Sequence, residues 1–236
     1  MRETRIVAFA LSLCLAGCLS VAPSQRDTPI DQVPMYGSMN RSAYPDLKAA
    51  DDSFIESVMR EFGSREKASD NFANYAFDLY RKDDLARAMA RFNQAWLLNP
   101  SNPQVFWGFA SVLHDRGDYC QAATMMDRAI ELGVSPVKGF LADAGFITSR
   151  CALANTTLPP AERKRILDRS EELFARSERE DPNKTYVYGT WAKAYRDQER
   201  YSEAWQMVAK QRNVGGKPDE KFLSILRSRF PEPVLK

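Results

Sequence analysis

Apolar residues along most of this chain recur at three- and four-residue spacing, the period of a helix that buries one face. The pattern also repeats over a longer distance. Phe72, Tyr75, Ala76, Leu79, Ala88, Phe92 and Ala95 return 34 residues later as Phe106, Phe109, Ala110, Leu113, Ala122, Met126 and Ala129. Large positions land on large residues and small on small. A second offset, of 82 residues, carries Phe106, Phe109, Ala110, Leu113, Tyr119 and Ala122 onto Tyr188, Trp191, Ala192, Tyr195, Tyr201 and Ala204. Twice 34 falls 14 short of 82, which predicts a third unit with an insertion between the second and the last. Leu141, Ala144 and Gly145 mark its weak first helix. Residues 160–180 form its second, with Ile166, Leu167, Leu173 and Phe174 on one face, and residues 152–159 read as an extended loop between them. No stretch alternates with a period of two, so the fold class is all-α.

Turn chemistry divides the pattern into pairs. Lys82-Asp83-Asp84, Arg116-Gly117-Asp118 and Gln198-Glu199-Arg200 join helices within units, while Asn99-Pro100, Ser135-Pro136 and Asp181-Pro182 separate one unit from the next. The ends are closed by a helix over 46–62, stopped by Gly63, and a capping helix over 218–230. Large and small residues at these places, a 34-residue period and a unit-ending proline resemble the tetratricopeptide repeat, W-x2-L-G-x2-Y followed by A-x3-F-x2-A. The resemblance covers about residues 64–218. It implies a TPR-type α-solenoid of about four helix pairs with flanking terminal helices, repeats falling near 69–102, 103–136, 137–184 and 185–218 within a helical domain of 47–236.

In that family the first helix of each pair lines a concave groove that binds proteins. Carried over residue by residue, the groove face holds Asn74, Phe77, Tyr80 and Arg81, then Trp107, Ser111 and His114, then Phe146, Ser149 and Arg150, and finally Lys193 and Arg196. Aromatic side chains beside guanidinium groups are the composition of binding anchors. Trp107 and Phe146 also admit a packing role, and His114 beside Asp115 reads as a helix-end residue. The carboxylate-clamp members of the family grip peptide C-termini with Lys, Asn and Arg. Here the corresponding places hold Ala73, Phe77, Gly108, Gly139 and Asp143, which argues against that mode. Trp96 and Trp205, on second helices, read as core.

Charge and composition narrow the chemistry. The 236 residues are 44% hydrophobic and 27% charged with a formal net charge of +2, so no basic stripe recommends a nucleic-acid partner. With a single histidine, His114, and no ligand spacing among Cys, Asp and Glu, neither a metal site nor a cofactor is expected. Phosphate-loop, dinucleotide and nucleophile-elbow motifs are missing, and Gly215-Gly216-Lys217 reads as a helix stop before Pro218. No catalytic residue emerges.

The N-terminus adds an address. Met1 to Arg5 carries net positive charge, Ile6 to Leu15 is an apolar run too short to span a bilayer, and Leu15-Ala16-Gly17-Cys18 follows. That order resembles a bacterial lipoprotein signal, with an ordinary secretory signal as the alternative. The resemblance implies a signal peptide over 1–17 and lipidation of Cys18. Leu19, where Asp marks retention in the inner membrane, implies the periplasmic side of the outer membrane. Loss of Arg2, Arg5 and Glu3 leaves 31 basic and 30 acidic side chains, a net of +1. Residues 18–46, broken by Pro23, Pro29, Pro34 and Pro45, read as a lipid-anchored flexible tether. Within it Pro34-Met35-Tyr36-Gly37 is either a turn or a contact for the folded domain or a partner. Cys14 departs with the signal, leaving Cys120 and Cys151. In an oxidising periplasm, and at the same end of adjacent layers of a helix-pair stack, they form a disulfide candidate, the alternative being two half-buried thiols.

Taken together these features describe a non-catalytic, lipid-anchored adaptor or scaffold in the bacterial cell envelope. Its partner is an envelope protein or peptide segment, and its membrane contact runs through the N-terminal lipid. The alternatives are a structural envelope lipoprotein whose own tether fills the groove, or a cell-wall enzyme.

Overall fold

In the computed structural model the described residues are 35–36, 40–133, 135 and 137–233. Among them ten α-helices and no strand occur: α1 Pro45–Phe62, α2 Arg65–Tyr80, α3 Leu85–Leu98, α4 Pro103–Asp115, α5 Tyr119–Leu132, α6 Phe140–Ala154, α7 Pro160–Glu180, α8 Lys184–Asp197, α9 Tyr201–Asn213 and α10 Glu220–Arg229. The fold is all-α. The signal segment, Cys18 and most of the tether lie outside the described residues. No described helix is long and apolar enough to cross a membrane.

Helix starts and stops follow local chemistry. Ser64, Asp84, Asn102, Asn183 and Asp219 each accept a backbone N–H of the first turn, satisfying a donor that the helix leaves without a partner. The Ser64 cap starts α2 four residues ahead of the predicted repeat boundary. Three turns share one construction. Asp83, Gly117 and Glu199 adopt left-handed backbone, with φ of 61°, 89° and 58°. The next residue in each case, Asp84, Asp118 or Arg200, donates its N–H to the carbonyl of Leu79, Leu113 or Tyr195 at 2.9–3.1 Å. Each turn reverses the chain, so α2/α3, α4/α5 and α8/α9 pack side by side.

The pairs run antiparallel. Ser69, near the start of α2, donates to the Ala95 carbonyl near the end of α3 (2.8 Å), and Gln211 at the end of α9 donates to Thr185 at the start of α8 (3.1 Å). Small residues at the contacts let the helices come close: Ala76, Ala88, Ala95, Ala110, Ala122, Ala129, Ala192 and Ala204 are all fully buried. At Gly108 a Cβ would fall 2.0 Å from the Phe92 ring, so the aromatic side chain fills the space that glycine leaves. One core runs from α2 through α7 and a second from α6 to α10. Phe54 and Phe62 of α1 pack edge-on against Phe72 of α2, and the Arg41 guanidinium grips Asp51 through two bonds (2.9 and 2.8 Å) to hold the preceding short turn on α1.

Two sequence expectations are corrected. The insertion in the third unit is not an extended loop. α6 continues through Ala154, because Ala152 is fully buried and Arg163 bonds the carbonyls of Ala152 (2.6 Å) and Asn155 (3.0 Å). Seven of the extra residues lie in α7, which has 21 where α3 and α5 have 14, and the rest are spread over α6 and the segments on either side of it. Tyr75, equated with the fully buried Phe109, is 48% exposed. Phe109 is covered by Phe92 and by Tyr36, whereas Tyr75, among the described residues, has the Arg91 guanidinium over its ring.

Cys120 at the start of α5 and Cys151 at the end of α6 are joined in a disulfide, with S–S 2.06 Å and Cα–Cα 4.5 Å. The 31-residue separation corresponds to about 3–4 kcal/mol of loop-closure entropy removed from the unfolded chain.

The shared turn gives a direct test. Glutamate in left-handed backbone is strained, so Glu199→Gly stabilises by roughly 0.5–1 kcal/mol. Gly117→Ala meets no atom within 4 Å of the new Cβ, yet destabilises by about 1 kcal/mol through backbone strain alone. Urea unfolding of both variants measures the opposite signs.

Candidate partner-binding groove

The first helices of successive pairs, α2, α4, α6 and α8, line an open cavity of about 570 Å³. Of the lining residues only Val137 comes from elsewhere than these helices or the residue capping α2. α2 contributes Asn74, Phe77, Tyr80 and its capping Arg81; α4 contributes Trp107, Ser111 and His114; α6 contributes Phe146; α8 contributes Lys193. Nine residues predicted for the groove are therefore gathered around one cavity.

Asp143 forms its floor. Trp107 Nε1 donates to one carboxylate oxygen (3.2 Å), and the Tyr186 hydroxyl donates to the other (2.6 Å), so α4, α6 and α8 meet at one group. Among the described residues no Lys, Arg or His nitrogen comes within ion-pair distance of it. The other two lining carboxylates have cationic or imidazole partners: Asp78 pairs with Arg81, and Asp115 with His114 Nδ1 (2.8 Å). Trp107 is held by Phe77 and Phe140, with ring centroids 5.0 and 5.6 Å away. It is only 9% exposed, so packing and lining coexist in one side chain.

Burial is the main influence on the ionisable groups. It pushes the Asp143 carboxyl up to about 6, against the opposing pull of the Tyr186 and Trp107 bonds and of the Lys193 charge, with Asp181 adding to the rise. Protein surrounds the carboxyl closely, yet Asp143 keeps accessible surface because the cavity opens onto it. Tyr80 is raised by burial and by its bond to Asp115; Tyr186 is raised by burial and by the Asp143 charge.

Three predicted residues lie elsewhere. Ser149 is fully buried and donates to the Phe146 carbonyl at 2.7 Å. Arg150 reaches away to the Tyr119 hydroxyl (3.1 Å) and Asp197 (3.3 Å). Arg196 binds the same Asp197 and lies over the Phe222 ring at 5.5 Å. Asp197, with a side chain only 12% exposed, attracts both guanidinium groups and removes them from the groove. Conversely Gln104, Asp143, Tyr186 and Thr190 line the cavity without having been predicted. The signal was available: each lies three or seven residues before a predicted lining residue, on the same helical face.

The tether contact is on another face. Tyr36 stacks on Trp96 with centroids 4.8 Å apart and touches Phe109 and Phe106 at 5.3 and 6.4 Å. None of these three residues lines the groove. Trp96, read as core from sequence, is instead partly buried and completed by this tyrosine.

No family model matches the chain, and neither a curated protein nor a solved structure matches it.

The Asp143 carboxyl titrates higher in the folded chain than its ordinary value of 3.8. Folding therefore favours the protonated acid. The corresponding stability is fully present below about pH 4 and is lost as pH rises through about 6. The expected observation is a Trp107 indole N–H resonance that titrates with a midpoint near 6 and stops doing so in Asp143→Asn. Lys193, Tyr186, Tyr80 and Asp181 are the other charged or titratable groups acting there. His114→Gln should leave it in place.

Proposed function

We propose that this protein is a non-catalytic adaptor or scaffold that holds a segment of another protein along the α2–α4–α6–α8 face. The observation that carries the reading is the open cavity shared by four successive first helices, with aromatic and charged side chains at its surface. A structural packing surface would be dry and closed; this one exposes 42% of Tyr186 and leaves Lys193 free of any ion pair among the described residues. Carboxylates in the groove engage tyrosine, tryptophan, histidine or arginine partners, an arrangement suited to recognition.

The finer architecture in this reading is a tetratricopeptide-type solenoid. Its support is the 34-residue recurrence, the fully buried alanines at equivalent places and the three turns of common construction. In the same reading the chain is a bacterial lipoprotein, anchored through Cys18 at the periplasmic face of the outer membrane and working in envelope assembly or maintenance. The Leu15–Cys18 quartet supports the anchor, and the Cys120–Cys151 bond fits an oxidising compartment.

Photocrosslinking amino acids placed at Phe77 and Phe146 in cells should each give the same discrete adduct, with none from an exposed residue on α5 such as Arg128. Reproducible absence of adducts from both groove positions defeats the adaptor reading. For the anchor, intact-mass measurement of the purified protein should show diacylglyceryl-modified Cys18 at the N-terminus. An unmodified Cys18 thiol would remove the lipoprotein assignment.

A further inference from the structure

The carboxylate at the floor of the groove has acceptor capacity to spare. A carboxylate has about four acceptor positions, and Asp143 receives one donor on each oxygen, both neutral. Two residues lining the same cavity also carry a buried polar atom without a partner. Gln104 Oε1 is buried with no hydrogen-bond partner among the described residues. His114 Nε2 is likewise buried without a hydrogen-bond partner among the described residues, its Nδ1 facing the Asp115 carboxylate. Around them stand the rings of Phe77, Tyr80, Trp107 and Tyr186, whose faces attract cations most strongly where water is excluded.

We infer that the guest segment is held by one cationic side chain, arginine or lysine, inserted over Asp143 between the aromatic rings of the groove. This rests on the adaptor reading and names the chemistry of its partner. A guanidinium carries five N–H donors and an ammonium three, with no acceptors, which complements the unmet acceptors of the cavity. The donors can be received by the Asp143 carboxylate, while the charge offsets that of the one lining carboxylate lacking an ion-pair partner among the described residues. A guest carboxylate meets the opposite situation, repelled by Asp143 and offered no donor at the floor beyond those Asp143 already engages. Lys193 lies on α8 at the mouth and acts on Asp143 at a distance, so it leaves the floor position open.

The test uses the full chain in mild detergent, 15N-labelled, with the Trp107 indole resonance as the reporter. The probes are N-acetylarginine amide and N-acetyllysine amide, compared with the neutral isostere N-acetylcitrulline amide and with N-acetylglutamate amide. The two cationic probes should shift the resonance saturably, and the other two should leave it unmoved. Affinity should fall about tenfold or more in Asp143→Asn. Tyr186→Phe keeps the carboxylate but removes one of its donors, and should retain binding; it also serves if the asparagine variant unfolds by circular dichroism. Equal shifts from citrulline, no saturable shift from either cation, or full affinity without the Asp143 carboxylate each overturn the inference. A cellular photoadduct from Phe77 that survives Asp143→Asn at unchanged yield overturns it too, while leaving the adaptor reading standing. Absence of any adduct from Phe77 and Phe146 in the parent chain is instead the failure of the adaptor reading itself.

Discussion

Everything in this molecule depends on how near two helix axes can come. Fully buried alanines at equivalent places on α2, α3, α4, α5, α8 and α9 remove side-chain bulk from the contact. Large rings then occupy the remaining volume, as Phe92 does over Gly108. Interiors packed to crystal-like density tolerate neither extra methylenes nor voids at such places. With second helices packed against the first, the opposite face of α2, α4, α6 and α8 is left partly open, only its deeper side chains such as Trp107 being packed. The groove is a by-product of where the bulk was placed.

That face is still organised from within. Asp143 ties α4 to α8 through the Trp107 indole and the Tyr186 hydroxyl, so a polar group on α6 sets the spacing of three helices at the floor of the cavity. The same bonds fix the two rings flanking it. The lining of the cavity and the architecture share these side chains, unlike the N-caps and turns, which act on their own helix ends. Tyr36, ahead of the first helix, contributes separately: it completes an aromatic cluster with Trp96, Phe106 and Phe109, away from the groove.

The all-α fold, the pairing of helices and most of the groove were legible in the residues, because each depends on local spacing. Phe77, Trp107 and Phe146 sit on one side of their helices whatever the neighbours do. What escaped depends on contacts between distant residues. Asp143 and Tyr186 are 43 positions apart, and their bond follows from the placement of α6 against α8. Arg150 and Arg196 had the right periodicity but were claimed by Asp197 from another direction. The third unit was recognised by its surplus length, yet length alone does not distinguish a loop from extra helical turns. Buried Ala152 and the Arg163 bonds to the end of α6 made the difference.

The link between Cys120 and Cys151 has a consequence for how the array comes apart. Among the described residues it is the one covalent tie between neighbouring helix pairs, and it joins the beginning of α5 to the end of α6. Opening events that peel a terminal pair away, at α8–α9 or at α2–α3, cost only the side-chain contacts at that junction. The middle two pairs stay joined at that point even when the packing around it opens, because the bond outlasts the loss of side-chain contacts. The tie lies in the same two pairs that carry Trp107 and Asp143, so the start of α5 and the end of α6 cannot separate while it is intact.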